Sequence, residues 1–235
     1  MRYTKKDFLE KISCWYKKHG RTSLPWRKTS NPYEILIAEM MLQKTHAVEQ
    51  VLPVYQEFLK KYPNINMLSE TEEIEIKKII CSLGLQNIRS RRFKELGVKL
   101  KDEYKSTVPN QYNDLISLPG VGEYIANAVL CMAFNKKTVM VDANFGRVLG
   151  RIFYGKEEYP PSKNNTWKLA KDLIPNIGFR KFNLGIIDLG ALVCKPKSPK
   201  CELCPFEEVC IYLIQTKNVM TKQKQNINRN EVPGH

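Results

Sequence analysis

Four cysteines lie close together near the end of the chain, at Cys194, Cys201, Cys204 and Cys210, with the spacing C-x6-C-x2-C-x5-C. Four thiolates at this spacing can surround one compact inorganic centre, either a 4Fe-4S cluster or a structural zinc ion. Zinc sites more often show two short C-x2-C pairs, whereas this segment has one. The spacing therefore favours an iron-sulfur cluster and leaves zinc as the alternative.

The chain is strongly basic, with 38 Lys and Arg against 24 Asp and Glu and a formal net charge of +14. This balance favours a polyanionic partner. Lys195 and Lys197 lie between the first two cysteines, and a loop held by a metal centre presents such lysines at fixed positions. We therefore expect them to contact phosphate, the alternative being ordinary solvated charge.

A glycine-rich turn, Leu118-Pro119-Gly120-Val121-Gly122, is a second candidate binding site. The turn joins two predicted helices, and glycines allow the backbone to approach a ligand closely. The N–H groups that begin the second helix point outward together with the positive end of the helix dipole. Leu118, Gly120, Val121 and Gly122 are therefore predicted to contact phosphate, although the same pattern also occurs in simple tight turns.

Two carboxylates are candidates for catalysis. Asp142 follows the turn by twenty residues and is expected to begin a new helix, where it can also serve as the N-cap. Glu39 lies in the apolar segment 37–42, where a charge is costly unless it has a function or a partner; a solvent-facing position is the alternative. Near Asp142, Asn144 is expected to contact the backbone of the polyanionic partner or to position a water molecule, and Arg147 to pair with a carboxylate or a phosphate.

Apolar residues recur at helical spacing along most of the chain, and convincing alternating strands are absent. The predicted fold class is all-α, with about ten helices. The chain shows no signal peptide and no apolar run long enough to span a membrane. We expect a cytoplasmic protein, associated with the nucleoid if it is prokaryotic, whose seven cysteines are free or metal-bound.

The turn LPGVG, the segment VDANFGRVLGRIF and the cysteine cluster, in this order, resemble the helix-hairpin-helix DNA glycosylase superfamily in its endonuclease III and MutY branch. The resemblance runs from about Leu24 to Cys210. It implies a two-lobed helical protein with a 4Fe-4S cluster, a base pocket between the lobes, and double-stranded DNA with a mismatched or damaged base as the partner of a monomer. The implied divisions are an N-terminal helix at 1–22 that packs with the cluster lobe, a helical barrel with the hairpin at 23–135, and a lobe with Asp142 and the cluster at 136–215. Residues 216–235 are rich in Lys, Asn and Gln, and this composition predicts a disordered tail.

The resemblance also implies roles for single residues. Asp142 matches the catalytic aspartate of the family, and Glu39 matches a glutamate of MutY and of the mismatch thymine glycosylase Mig, which protonates the leaving base in MutY. Members that cleave the strand have a lysine where this chain has Tyr124. A phenol cannot form a Schiff base, so hydrolysis without strand cleavage is expected, with Tyr124 shaping the sugar side of the pocket. Packing between helices is the alternative for Tyr124.

The preferred base is predicted from smaller signals. Gln43 and Lys44 are expected to enter the duplex when the target base is flipped, and Gln43-Lys44-Thr45 is intermediate between the MutY and Mig patterns. The segments 84–89 and 182–188 are more like Mig, and no further domain follows the cluster. We therefore expect removal of thymine or uracil opposite guanine. The alternatives are adenine removal opposite 8-oxoguanine or guanine and, from another class, a non-catalytic iron-sulfur protein that binds DNA.

Overall fold

The structure, a computed structural model, describes residues 4–44, 48–156 and 164–219, with only the backbone of Asn164. The helices are α1 (Lys5–His19), α2 (Pro25–Lys28), α3 (Pro32–Leu42), α4 (Val48–Lys61), α5 (Ile65–Glu70), α6 (Glu73–Ile80), α7 (Gln86–Tyr104), α8 (Tyr112–Ile116), α9 (Glu123–Met132), α10 (Ala143–Tyr154), α11 (Asn164–Leu173), α12 (Phe179–Leu192) and α13 (211–219). Two 3-10 turns lie at Cys81–Leu83 and Cys201–Leu203. The described residues contain no strand, which confirms the predicted all-α class.

Local sequence signals explain where several helices begin. Thr4 and Asp7 form a reciprocal capping box at the start of α1. The side chain of Asn31 accepts a hydrogen bond from the Tyr33 amide, and Pro32 occupies the first position of α3. Because each cap satisfies amides that have no partner within the helix, these helices begin at defined residues.

The chain divides into two compact units, which are described separately. The first unit consists of residues 21–140 and contains α2 to α9. Within it α7 packs against α5 and α6, while α3 packs against α4 and α9. Helix α3 is the centre of this unit, since the side chains of Ile35, Leu36, Ile37 and Ala38 are all fully buried.

The second unit combines residues 1–20 with residues 141–235. Helix α12 packs against both α1 and α10. The ring of Phe8 on α1 stacks on Phe206, with ring centroids 4.8 Å apart, and contacts Phe153 and Phe182 at 5.3 and 6.4 Å. Helix α1 therefore packs directly on the segment that contains the four cysteines.

Three boundaries lie at other residues than expected. The units divide after Gly20 and after Met140, instead of after residues 22 and 135. Residues 216–219 belong to α13, so regular structure extends past the expected start of the tail, and residues 220–235 lie outside the described part of the chain. In the described part, no helix combines the length and the apolar character needed to cross a membrane.

Candidate functional site

The four cysteines surround a single cavity. Cys194, Cys201, Cys204 and Cys210 line this cavity, which is partly open to solvent, together with apolar side chains of α10 and α12 that include Val148, Ile152 and Leu189. Nη1 of Arg151 lies 3.6 Å from Sγ of Cys194, and its guanidinium lies over the ring of Tyr212 at 4.7 Å. The cysteines thus have an apolar wall on one side and a cation beside the first sulfur.

The chemistry of these thiols fits a cationic inorganic centre. Burial, with a contribution from the neighbouring thiols, raises the pKa of Cys201 and Cys210, and burial raises the pKa of Cys204 to about 12. Such thiols become thiolates only when a metal supplies compensating positive charge. The four cysteines line the same cavity, and an all-sulfur set of ligands is the one expected for a 4Fe-4S cluster or a structural zinc ion.

Asp142 lies at the N-terminus of α10 and is the N-cap of that helix. Its Oδ1 accepts a hydrogen bond from the Phe145 amide at 2.7 Å, and its Oδ2 accepts one from Nδ2 of Asn144 at 2.9 Å. Burial raises the pKa of Asp142, and these two hydrogen bonds and the nearby charge of Arg147 oppose that effect. The residue is therefore both a cap and a carboxylate held in a poorly solvated position, a combination that is common at catalytic sites.

Arg147, which was predicted to pair with a carboxylate or a phosphate, is buried, and this burial argues against contact with phosphate. It donates from Nε to the carbonyl of Cys194 at 2.7 Å, and from Nη2 to Oδ1 of Asn144 at 2.7 Å and to the carbonyl of Gly190 at 2.8 Å. Asn144 is fixed by its packing as well, since a Cβ added at Gly190 would lie 2.7 Å from Cβ of Asn144. A chain of contacts therefore runs from Asp142 through Asn144 and Arg147 to Cys194.

The glycine-rich turn in the first unit is closer to the core than expected. The side chains of Leu118 and Val121 are only 2% and 7% exposed, and the Val121 amide donates to the Leu118 carbonyl within the turn. These two side chains are therefore part of the core of this unit. The expected phosphate contact concerns the backbone of the turn and stays a prediction. Gly122 is exposed and immediately precedes α9, and Gly120 has a φ of +79°, which favours glycine at that position.

Glu39 and Tyr124 lie in the first unit. Glu39 is 4% exposed, so the alternative that it faces solvent from α3 is wrong. Tyr124 lies in the first turn of α9 and is partly exposed. Gln43 follows α3 directly and donates from Nε2 to the Gly120 carbonyl at 3.0 Å, whereas Lys44 is exposed with a φ of +53°.

The lysines of the cluster segment are accessible. Lys195 and Lys197 are both exposed, as phosphate contact requires. The carbonyl of Lys195 accepts a hydrogen bond from Nη1 of Arg151 at 2.7 Å, and the Pro196 carbonyl accepts one from Nη2 at 2.9 Å. Arg151, which the sequence analysis did not single out, therefore holds the backbone of the loop that presents these lysines.

Two residues near Gln43 were also missed. Leu85 is 53% exposed at the tip of the turn before α7 and has a φ of +51°. Arg89 is buried and donates to the carbonyl of Gly84 in this turn and to the carbonyl of Met40 in α3. Both residues lie in the segment 84–89 that resembles Mig, but neither was assigned a role. Nothing in the run Arg89, Arg91 and Arg92 distinguishes the buried arginine from the exposed ones.

Comparison with known proteins gives two family matches. Residues 37–176 match the HhH-GPD superfamily of base excision DNA repair proteins, and residues 194–210 match the iron-sulfur binding domain of endonuclease III. The second match coincides with the cysteine segment. The prediction of a 4Fe-4S cluster is confirmed, in agreement with the cavity that these cysteines line.

Several characterised relatives align over most of the chain. A thymine/uracil-DNA glycosylase of Pyrobaculum aerophilum is 37% identical over 92% of this chain and 95% of its own length. One of Methanothermobacter thermautotrophicus is 42% identical over 82% of this chain and 87% of its length. An adenine DNA glycosylase of Buchnera aphidicola subsp. Baizongia pistaciae is 35% identical over 93% of this chain and 62% of its length.

Solved structures show the same fold. A thermostable thymine-DNA glycosylase superposes with a TM-score of 0.84 and 39% identity, covering 90% of this chain and 97% of the other. Endonuclease III in a non-covalent complex with DNA superposes with a TM-score of 0.79 and 25% identity, covering 92% of this chain and all of the other.

Proposed function

The chain belongs to the HhH-GPD superfamily of base excision DNA repair proteins and is a DNA N-glycosylase, and we propose that it releases thymine and uracil opposite guanine. The proposal that thymine and uracil are the released bases rests on one observation. The relatives named thymine/uracil-DNA glycosylase align over 87% or more of their own length at 37 and 42% identity. Adenine is the second candidate, because a relative named adenine DNA glycosylase is 35% identical to the chain.

Asp142 is the proposed catalytic carboxylate. When the N-glycosidic bond breaks, its electron pair leaves with the base and positive charge develops on the deoxyribose. An ionised carboxylate near the sugar stabilises that charge, and a water molecule then adds to the anomeric carbon. The hydrogen bonds from Phe145 and Asn144 hold the carboxylate in one orientation and favour its ionised form.

Glu39 is the proposed acid for the leaving base. It is buried in an apolar helix, where a carboxyl group is costly unless it has a function or a partner. A protonated Glu39 that donates to the base makes the base a better leaving group. This role rests on the match of the residue to the glutamate of the related glycosylases.

Tyr124 is the basis for proposing hydrolysis without strand cleavage. Imine formation needs an amine, and a phenol has none. Borohydride should therefore trap no covalent adduct between the wild-type protein and substrate DNA. Tyr124→Lys is expected to form a trapped adduct, and Tyr112→Lys, which changes an exposed tyrosine of α8, is the matched control.

The DNA contacts follow from exposure. We assign phosphate contact to the backbone at Gly120 and Gly122 and to the side chains of Lys195 and Lys197, whereas Gln43 and Lys44 enter the space of the flipped base. Binding should weaken steeply with salt, because each neutralised phosphate releases counterions. A monomeric state and a cytoplasmic or nucleoid location stay predictions.

The cluster is proposed to have a structural role. Cys194, Cys201, Cys204 and Cys210 would hold it, and a bound 4Fe-4S cluster supplies positive charge to the thiolates and a rigid centre. The loop 195–200 is then fixed at both ends by cluster ligands. Arg151 holds the carbonyls of this loop from the protein side.

Single-turnover base release tests the proposed function. Duplexes with a central G:T, G:U, A:G or A:8-oxoguanine pair are incubated with excess wild-type protein or Asp142→Asn. Release of thymine and uracil by the wild type alone is the expected result. Release of adenine instead would favour the second candidate, and tight binding without release from any duplex would favour a non-catalytic protein.

A further inference from the structure

Arg89 forms an unusual set of hydrogen bonds for a side chain outside the catalytic residues. Its Nη1 donates to the carbonyls of Met40 and Met41 at 2.8 and 3.2 Å, and its Nη2 donates to the carbonyl of Gln43. Its Nε donates to the carbonyl of Gly84 at 3.0 Å. One guanidinium therefore binds the C-terminal end of α3 and the turn that precedes α7.

Two of these carbonyls precede residues with a left-handed backbone. Gln43 precedes Lys44, with a φ of +53°, and Gly84 precedes Leu85, with a φ of +51°. Non-glycine residues adopt this conformation at a cost, so it persists only where the surroundings enforce it. Arg89 binds the carbonyl directly before Lys44 and the carbonyl directly before Leu85. These hydrogen bonds hold the two peptide groups at which the left-handed conformation begins.

The side chain of Gln43 extends the same connection. Its Nε2 donates to the carbonyl of Gly120 in the glycine-rich turn. The end of α3, the turn at Gly84 and the glycine-rich turn are thus joined through Arg89 and Gln43. Leu85 and Lys44, which follow the carbonyls that Arg89 binds, are exposed.

Arginine is the residue type suited to this position. A planar guanidinium donates in several fixed directions at once, whereas an ammonium group is a single compact charge. Its positive charge also lies at the C-terminal end of α3, where the last carbonyls of the helix carry partial negative charge. Burial and the charge of Arg92 lower the pKa of Arg89, so the carbonyl contacts must offset an unfavourable environment.

We propose that Arg89 is a positioning residue that holds the turns 43–44 and 84–85 in one preformed arrangement for entry into the duplex. This inference rests on the proposed function, in which a flipped base leaves a gap that protein side chains fill. A preformed arrangement lowers the cost of base extrusion, because the turns are not ordered at the moment of insertion. The role is therefore specific to paired substrates.

The first test uses the free protein and needs no substrate. Hydrogen exchange measured by mass spectrometry compares wild type, Arg89→Lys and Arg91→Lys, the last being an exposed arginine of the same helix. Faster exchange in peptides that contain residues 40–44 and 83–86 is expected only in Arg89→Lys. Wild-type exchange in both segments of Arg89→Lys would overturn the proposal.

The second test separates positioning from general stability. Single-turnover uracil release is measured from a G:U pair and from an unpaired uracil in a bulge, where extrusion costs little. Arg89→Lys should slow release from G:U about tenfold more than release from the bulge. The double variant Arg89→Lys, Gln43→Ala should slow release from G:U by less than the product of the two single-variant fold-changes, because both side chains hold the same pair of turns.

The outcomes distinguish this inference from the proposed function. Equal slowing on both substrates, with a lowered melting temperature, would overturn the inference, because Arg89 would then be a purely structural residue. Equal rates for Arg89→Lys and Arg91→Lys would also overturn it. If wild type releases no uracil from either DNA, the proposed function fails, and faster exchange in Arg89→Lys would still support the preformed arrangement of the two turns.

Discussion

Nδ2 of Asn144 donates a hydrogen bond of 2.9 Å to Oδ2 of Asp142. Oδ1 of the same amide accepts from Nη2 of Arg147, whose Nε donates to the carbonyl of Cys194. The proposed catalytic carboxylate is therefore connected to the first cysteine of the cluster through two side chains. Substitutions of Asp142, Asn144 and Arg147 therefore test three different roles, which are catalysis, control of carboxylate ionisation, and support of the cluster segment.

Asp142→Asn should abolish base release while leaving the fold intact. Loss of the charge should lower the single-turnover rate on the order of 10²- to 10³-fold. Asparagine is also a good N-cap. Burial raises the pKa of Asp142 in the folded protein, so the ionised carboxylate destabilises the fold at neutral pH. This destabilisation disappears as the pH falls through the folded-state pKa. The variant should thus melt at or above the wild-type temperature at pH 7, whereas a lower melting temperature would contradict this account.

Asn144→Ala should move the pH profile of base release. Catalysis requires the ionised form of Asp142, whose pKa burial raises and Asn144 lowers. Without the Asn144 hydrogen bond the pKa rises further, so activity should be lost at a higher pH than in wild type. Single-turnover rates measured across the acidic range test this, with Asn113→Ala on α8 as the control. An acidic limb that stays in place or moves to lower pH would count against the proposed role.

Arg147→Met should destabilise the second unit. The substitution leaves the carbonyls of Cys194 and Gly190 without their buried donor, at a cost of about 2–4 kcal/mol in unfolding free energy. Chemical denaturation measures the loss, and iron content reports the state of the cluster segment. Arg91→Met, at an exposed position, should change neither quantity. Unchanged stability and iron content in Arg147→Met would show that its contacts do not support this segment.

Cys204→Ala should remove the cluster. A 4Fe-4S centre needs four protein ligands, so iron should fall from about four atoms per chain to nearly none. The loop with Lys195 and Lys197 then loses its fixed ends, and affinity for duplex DNA should fall. Cys14→Ala, at an exposed cysteine of α1, is the control. Full iron content in Cys204→Ala would exclude this cysteine as a ligand.

The sequence by itself determined the all-α class, the cysteine cluster and the position of Asp142 at the start of a helix. These features depend on residues that are close together in the sequence. They are the helical spacing of apolar residues, the four ligands within one short segment, and a capping residue directly before its helix. Such signals involve neighbours in the chain, so they can be read without knowledge of the packing.

The tertiary structure decided which side chains of the candidate site are buried. Arg147 and Arg89 are charged residues that the sequence cannot distinguish from surface arginines, yet both bind carbonyls of segments more than forty residues away. Leu118 and Val121 lie in the turn expected to contact phosphate, and only the structure shows that their side chains pack into the core. Burial and carbonyl pairing depend on contacts between distant segments, which only the folded chain brings together.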